Sequence, residues 1–353
     1  MTTNGLLDLG ILFVALVVIL VGAELFTNGI EWFGHKLDLA EGAVGSVLAA
    51  VGTALPETMI PTVAILFGGS AAADEIGVGA VLGAPFMLAT LAMFVTGLAV
   101  VLVGRKRPTG DRMTVARDVL GHDLRVFAVA YAVAIGSALI PSELFPVRLV
   151  VAALLLGIYG WYVKEHLEAE ERIEGEALAP LRLHRLDRRG HRRNPRVPRL
   201  RIVTLQVAVA IGCIVGGAVL FVDAVEGIAR AVAVPEAILA LVVAPVATEL
   251  PEKFNSVLWI RAGKDTLALG NITGAMVFQA TIPTVIAIVF ASSTWALSEE
   301  SGLAFASAGM AFLSSWLIFG AFRRAHLHGR RLLLGGLVYA AYLAIVVAVL
   351  GGG

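Results

Sequence analysis

Long apolar runs, separated by short clusters of polar, Gly and Pro residues, dominate this chain. A helix crosses the hydrocarbon core of a bilayer with about 20 apolar residues. Segments 6–30, 41–67, 76–103, 124–141, 145–163, 202–229, 236–260, 267–291, 302–320 and 332–350 each meet that requirement. The fourth and fifth are separated only by a tight turn at Pro141, Ser142 and Glu143. The pattern predicts an all-α integral membrane protein with ten transmembrane helices.

Charge tests that count. With ten crossings, the loops after the first, third, fifth, seventh and ninth spans share one side of the membrane, and they collect 24 of the 27 Lys and Arg residues. Arg148 and Arg230 lie on the opposite face, and Lys253 falls inside a span. A miscounted helix would scramble this partition. The positive-inside rule therefore predicts cytoplasmic basic loops and both termini outside the cytoplasm, in a multi-pass protein of the cytoplasmic (inner) membrane.

Composition excludes a soluble globule, because 58% of residues are hydrophobic and 15% charged, against about 25% charged in an ordinary soluble domain. The net charge of zero offers no basic excess for nucleic acid. The expected partners are the lipid bilayer and inorganic cations, and the oligomeric state has no signal in the sequence. Cys213 stands alone in an apolar run and reads as a small buried hydrophobe. The first apolar run has no Lys or Arg before it and no convincing cleavage pattern, so it reads as a retained helix. Segment 164–201, with eleven basic and seven acidic residues and three prolines, reads as a mobile cytoplasmic connector whose Arg run touches anionic headgroups.

The chain repeats itself. Thr53-Ala54-Leu55-Pro56-Glu57 of the second span matches Thr248-Glu249-Leu250-Pro251-Glu252 of the seventh. At the same spacing upstream, Gly22-Ala23 pairs with Gly217-Ala218 and Leu25-Phe26 with Leu220-Phe221. After a small length difference downstream, Asp74 pairs with Asp265, Gly79 with Gly270 and Gly83-Ala84 with Gly274-Ala275. The chain thus divides into a five-helix repeat (1–163), the connector (164–201) and a second five-helix repeat (202–353). Five crossings are odd, so the second repeat enters from the opposite side. Inverted repeats of this kind build a midplane site with alternating access in many secondary transporters.

Glu57 and Glu252 stand near the middle of their spans, where a charge costs about 2.5–3.5 kcal/mol or more. Each follows a proline, which removes a backbone hydrogen bond and frees the carbonyl one turn earlier. A carboxylate beside a broken helix, supplied once by each repeat, suits an intramembrane cation site. Glu249 shares a helical face with Glu252, and three carboxylates together favour proton competition. Thr53, Thr248 and Asn255 add oxygen ligands suited to calcium or sodium. Asn271 and Gln279 either face this site or bridge helices. The paired glycines 79/83 and 270/274 suit close helix packing. Glu24, Glu31, Asp223 and Glu226 read as solvated span ends, and Trp32, Trp161, Tyr162 and Trp295 as interface anchors.

These motifs resemble the two alpha-repeats of the sodium/calcium exchanger family, within the cation/calcium antiporter superfamily. The resemblance runs through Gly22-Ala23-Glu24-Leu25-Phe26, Gly52 to Glu57, Ala247 to Glu252 and Gly270-Asn271-Ile272-Thr273-Gly274. It implies that Glu57 and Glu252 are the central metal ligands, with Thr53 and Thr248 lining the site. The chain departs from the family at Ala54 and Glu249, which replace a serine, and at Ala84-Pro85 and Ala275-Met276, which replace further oxygen ligands. The implied function is secondary-active cation antiport: calcium against sodium or, through Glu249, protons. The alternatives are a sodium/proton exchanger of the same superfamily and a transport-inactive ion-binding scaffold. No permanently bound cofactor is expected, and the sequence contains no nucleophile-base pair or His-rich metal motif of an enzyme.

Overall fold

In the computed structural model the backbone is described for residues 3–36, 49–107, 109–169, 179–186, 198–299, 301–324 and 327–351. Within its helices the side chains of 49–56, 247 and 249–255, among others, lie outside the described residues. The helices are α1 (Thr3–Lys36), α2 (Ala49–Phe67), α3 (Ala71–Met87), α4 (Met93–Val103), α5 (Arg117–Ser137) and α6 (Phe145–Ala169). They continue with α7 (Leu200–Val232), α8 (Glu236–Arg261), α9 (Asp265–Phe290), α10 (Gly302–Arg324), α11 (Gly329–Leu332) and α12 (Leu334–Gly351). Within the described residues, each apolar segment read from the sequence corresponds to one helix or a consecutive pair, the 41–67 segment being described from Ala49 onward. Among the described residues, eight helical segments are long and apolar enough to cross a membrane, and Glu57–Phe67 and Glu236–Val246 are shorter apolar helices. One difference concerns the prolines: α2 runs through Pro56 and α8 through Pro251 as continuous helices. The missing N–H groups still remove two backbone hydrogen bonds, but the expected helix breaks do not form.

Contacts between loops sort the chain into two faces. After α4, Arg107 forms a buried ion pair of 2.5 Å with Asp265, at the junction of α8 and α9. The same strip meets the loop after α10, where Met113 N–H donates to Leu327 O and Gly329 N–H to Asp111 O. On the opposite face, the α5–α6 turn meets the loop after α9, through Leu297 N–H to Ala138 O and through Arg148 on Ser292. Loops that share a side in the charge partition therefore touch one another.

The most extensive helix pair is α1 with α7, and its contacts are reciprocal. A Cβ on Gly22 would lie 2.8 Å from Ile214 and 3.1 Å from the Ala210 carbonyl. On Gly217 it would lie 2.7 Å from Ile19 and 3.1 Å from the Ala15 carbonyl. The repeat spacing maps Gly22 onto Gly217, Ile19 onto Ile214 and Ala15 onto Ala210. Reciprocity of this kind is what a two-fold relation produces.

The first glycine pair seats one helix directly on another. A Cβ on Gly79 or Gly83 would collide with the backbone of Ala237 or Leu241, so these two let α3 press directly on α8. Among the described residues, Gly270 has no neighbour within reach, and Gly274 meets only the Tyr162 hydroxyl at 3.4 Å.

Three of the expected interface anchors are buried. Trp295 is fully enclosed and donates to Ser137 at 2.9 Å, and Tyr162 donates to Asp123. Trp32 donates to Ala179 O at 2.8 Å. A polar tip near a span end marks an interface only when no protein acceptor is in reach, and each of these side chains has one. Trp161 is exposed, as expected.

Two described pieces of the 164–201 connector are ordered against the helices. Residues 164–169 extend α6, and 179–186 are tied to the α1–α7 crossing: Arg182 N–H donates to Asn28 Oδ1 at 3.0 Å and Leu183 N–H to Gln206 Oε1 at 2.8 Å. Arg182 also pairs with Glu24 at 2.6 Å, and Leu181 is buried beside Trp32 and Val203. Glu24 thus serves as an ion-pair partner as well as a solvated charge.

One substitution made at two glycines tests the packing. In thermal unfolding of the purified protein, Gly83→Ala is expected to destabilise by about 1–3 kcal/mol through overpacking. Gly157→Ala, on open α6 surface with nothing within 4 Å, is expected to be neutral or to stabilise by about 0.5–1 kcal/mol.

Candidate functional site

Helices α2, α8 and α9 pack against one another in the interior, and α2 and α8 carry the repeated Pro-Glu motifs. Glu57 is buried on α2, with 8% of its surface exposed. Its Oε2 accepts a hydrogen bond of 3.1 Å from Gln279 Nε2 on α9. A carboxylate of the first repeat is thereby held by an amide of the second. Gln279 thus bridges α9 to α2 through Glu57.

Thr248 is buried on α8, and its hydroxyl donates to Ala244 O of the same helix at 2.9 Å. The proton is committed to the backbone, which leaves the oxygen lone pairs available to a cation. Asn271 is half-buried on α9 and makes no hydrogen bond with a described residue. It lies two turns before Gln279, a rise of about 12 Å along the helix. The side chains of Thr53, Glu249, Glu252, Lys253 and Asn255 lie outside the described residues. The structure therefore brings together Glu57 and Gln279 on helices that also contact the Thr248 helix, and sets Asn271 apart.

Backbone irregularities lie beside this centre. Between α3 and α4, residues Leu88–Ala92 form a buried π-turn. Such a turn leaves a carbonyl without its usual partner, and Ser314 of α10 donates to Ala89 O at 2.5 Å. The repeat spacing maps this turn onto Gln279 to Pro283 of α9. Pro283 has no N–H for the Gln279 carbonyl, and Thr284 Oγ1 reaches that carbonyl at 3.4 Å. The residue equivalent to Gln279 in the first repeat is the buried Leu88. The amide that holds Glu57 therefore has no counterpart across the two-fold, and the two halves of the site differ chemically.

A further buried carboxylate, Asp123, was not singled out from the sequence. It accepts from the Tyr162 hydroxyl at 3.0 Å and from the Thr273 hydroxyl at 2.5 Å, and His166 Nε2 lies 3.3 Å away. His122 stacks on Tyr162 and lies 3.5 Å from Glu165. The cluster joins α5, α6 and α9. The adjacent His122-Asp123 pair within a helix was the available signal, obscured by the surrounding charges of a span end.

The family profile for "Sodium/calcium exchanger protein" matches residues 7–164 and 202–351, which is nearly the whole chain outside the connector. Among curated proteins, "Inner membrane protein YrbG" of Escherichia coli K12 is 24% identical over 277 residues, covering 78% of each chain. Among solved structures, the H+/Ca2+ exchanger CAX superposes with a TM-score of 0.70 at 15% identity, over 97% of this chain and 85% of that one. The sodium-calcium exchanger NCX_Mj superposes with a TM-score of 0.56 at 16% identity, over 96% of this chain and 98% of that one.

The contact between Glu57 and Gln279 is open to a double-mutant test. Removing the amide in Gln279→Leu is expected to cost about 1–3 kcal/mol, because a buried carboxylate loses one of its hydrogen-bond donors. Glu57→Leu combined with Gln279→Leu should recover part of that loss in thermal unfolding, and strictly additive losses would show that the two side chains do not interact. The matched segments reach across both repeats and the fold agrees with theirs: this chain belongs to the sodium/calcium exchanger protein family and is a multi-pass membrane cation exchanger.

Proposed function

We propose that the protein is a secondary-active antiporter that exchanges calcium for protons or sodium, holding the cation between Glu57 of one repeat and Glu252 of the other. Thr53, Thr248 and Glu249 complete the oxygen set, and Asn271 lies at its margin towards the Arg-rich face. The two repeats, 1–163 and 202–353, rock against each other to expose the site to either side. The protein sits in the cytoplasmic membrane with its Arg-rich loops inside and its termini outside.

The observation that carries this reading is the Glu57 carboxylate. It is buried within the helix bundle, and a donor reaches it from the opposite repeat. An ionised carboxylate there is costly unless a cation or a proton neutralises it. Exchange of one for the other at a single group is the essence of cation/proton antiport.

Protons are favoured over sodium as the counter-ion by the residues that are missing. Ala84-Pro85 and Ala275-Met276 supply no side-chain oxygens where the resemblance places them, while Glu249 adds a carboxylate that a proton can neutralise. The solved structures that share the fold include a proton-coupled and a sodium-coupled exchanger, so the architecture accommodates either.

Flux into inverted vesicles with imposed gradients tests the reading. Calcium is expected to move against a pH or a sodium gradient. Glu57→Gln and Glu252→Gln should each lower apparent calcium affinity about tenfold to a hundredfold, the loss of a charged ligand worth roughly 1.5–3 kcal/mol. Proton competition sets the sign of the pH dependence: calcium affinity rises with pH on the side where calcium binds, as the carboxylates ionise. No movement of calcium, sodium or potassium under either gradient overturns antiport, and wild-type flux in both variants removes the site. Sodium/proton exchange at full rate with no effect of calcium assigns the monovalent reaction instead.

A further inference from the structure

Between the halves of α5 and α10 nearest the Arg-rich face lies a groove of about 490 Å³. Its walls are apolar, with Leu124 and Ala128 on one side and Phe312 and Trp316 on the other, and its polar members are Arg125 and Ser315. Trp316 is 69% exposed, so the groove opens outward on a surface that would face lipid.

Two features set it apart from an ordinary lipid-facing surface. Arg125 is an exposed cation within Asp118–Ser137, a segment long and apolar enough to cross a membrane. Its Nε donates to Gly121 O at 2.8 Å, one turn earlier, so the guanidinium turns back towards the start of α5 and the headgroup level. Among the described residues no carboxylate pairs with it, and its terminal nitrogens make no hydrogen bond. Ser315, for its part, has a buried hydroxyl with no hydrogen-bond partner among the described residues. A buried polar atom left in that state costs free energy that an acceptor in the groove would relieve.

We infer that the groove binds one anionic phospholipid of the leaflet on the Arg-rich side. Its phosphate lies on the Arg125 guanidinium, an ester oxygen accepts from Ser315, and an acyl chain runs along Phe312 and Trp316. The occupant is a lipid because the apolar walls are far longer than a free anion needs. It is anionic because the single unpaired charge in the groove is positive.

Bromine-labelled lipids report on this site through Trp316. The purified full-length protein is reconstituted in phosphatidylcholine vesicles containing a minor fraction of brominated phosphatidylglycerol or brominated phosphatidylcholine. The Trp316 component is the difference between wild type and Trp316→Phe. Quenching should show about a fivefold preference for phosphatidylglycerol, the gain of one basic side chain near an anionic headgroup. Arg125→Gln should abolish that preference, and Arg125→Lys should retain most of it and serve as the control for folding. Equal quenching by the two lipids in the wild type overturns the proposal. So does a preference unchanged in Arg125→Gln, which would assign the enrichment to the basic loops. Loss of the preference in millimolar inorganic phosphate at constant ionic strength would assign the site to a free anion and overturn the lipid.

Discussion

Hydrocarbon cannot hydrogen-bond, so each polar group that a membrane helix carries inward must find its partner within the protein. Glu57 is the most demanding such group among the described side chains near the centre of the bundle, and the surrounding helices are arranged to meet its needs. Gln279 reaches it from α9, and α8 packs alongside with the buried Thr248. The close approach of α3 to α8, made possible by Gly79 and Gly83, keeps these helices in register. A bulkier residue at either glycine would separate α3 from α8 and loosen the packing beside the carboxylate.

The repeats share a backbone plan and differ in side-chain chemistry. The reciprocal contacts of Gly22 and Gly217 show the two-fold in the outer pair, α1 and α7, where packing is all that matters. At the centre the symmetry is relaxed: a buried π-turn with Leu88 in one repeat corresponds to Gln279 and Pro283 in the other. The two repeats therefore present different side chains at equivalent backbone positions. Away from the centre, the ion pair of Arg107 with Asp265 and the tether at 179–186 fasten the Arg-rich face.

The helices and the pairing of faces were legible in the sequence because both depend on gross features, apolar length and the placement of charge. The motif repeat was legible too, and with it a carboxylate, Glu57, carried into the helix bundle. Its partner was not, since Gln279 lies 222 residues away and a lone Gln on an apolar helix looks the same whether it faces a ligand or another helix. Tyr162 and Trp295 were misread for a related reason: an aromatic residue with a polar tip suits an interface or a buried acceptor equally, and only tertiary structure supplies Asp123 and Ser137. The connector looked mobile because its few apolar residues are scattered. One of them, Leu181, is buried within residues 179–186, where Asn28 and Gln206 satisfy the backbone around it.

The central claim is that one carboxylate from each repeat meets its counterpart at a shared cation site. Cys213 is the sole cysteine, so a Cys213→Ser background carrying Glu57→Cys and Glu252→Cys places two thiols at the proposed ligand positions. Cadmium, which bridges paired thiolates, should protect both from alkylation at micromolar concentration in the double variant and protect neither single variant. Equal alkylation of the double variant with and without cadmium, in protein that remains folded, would contradict a shared site.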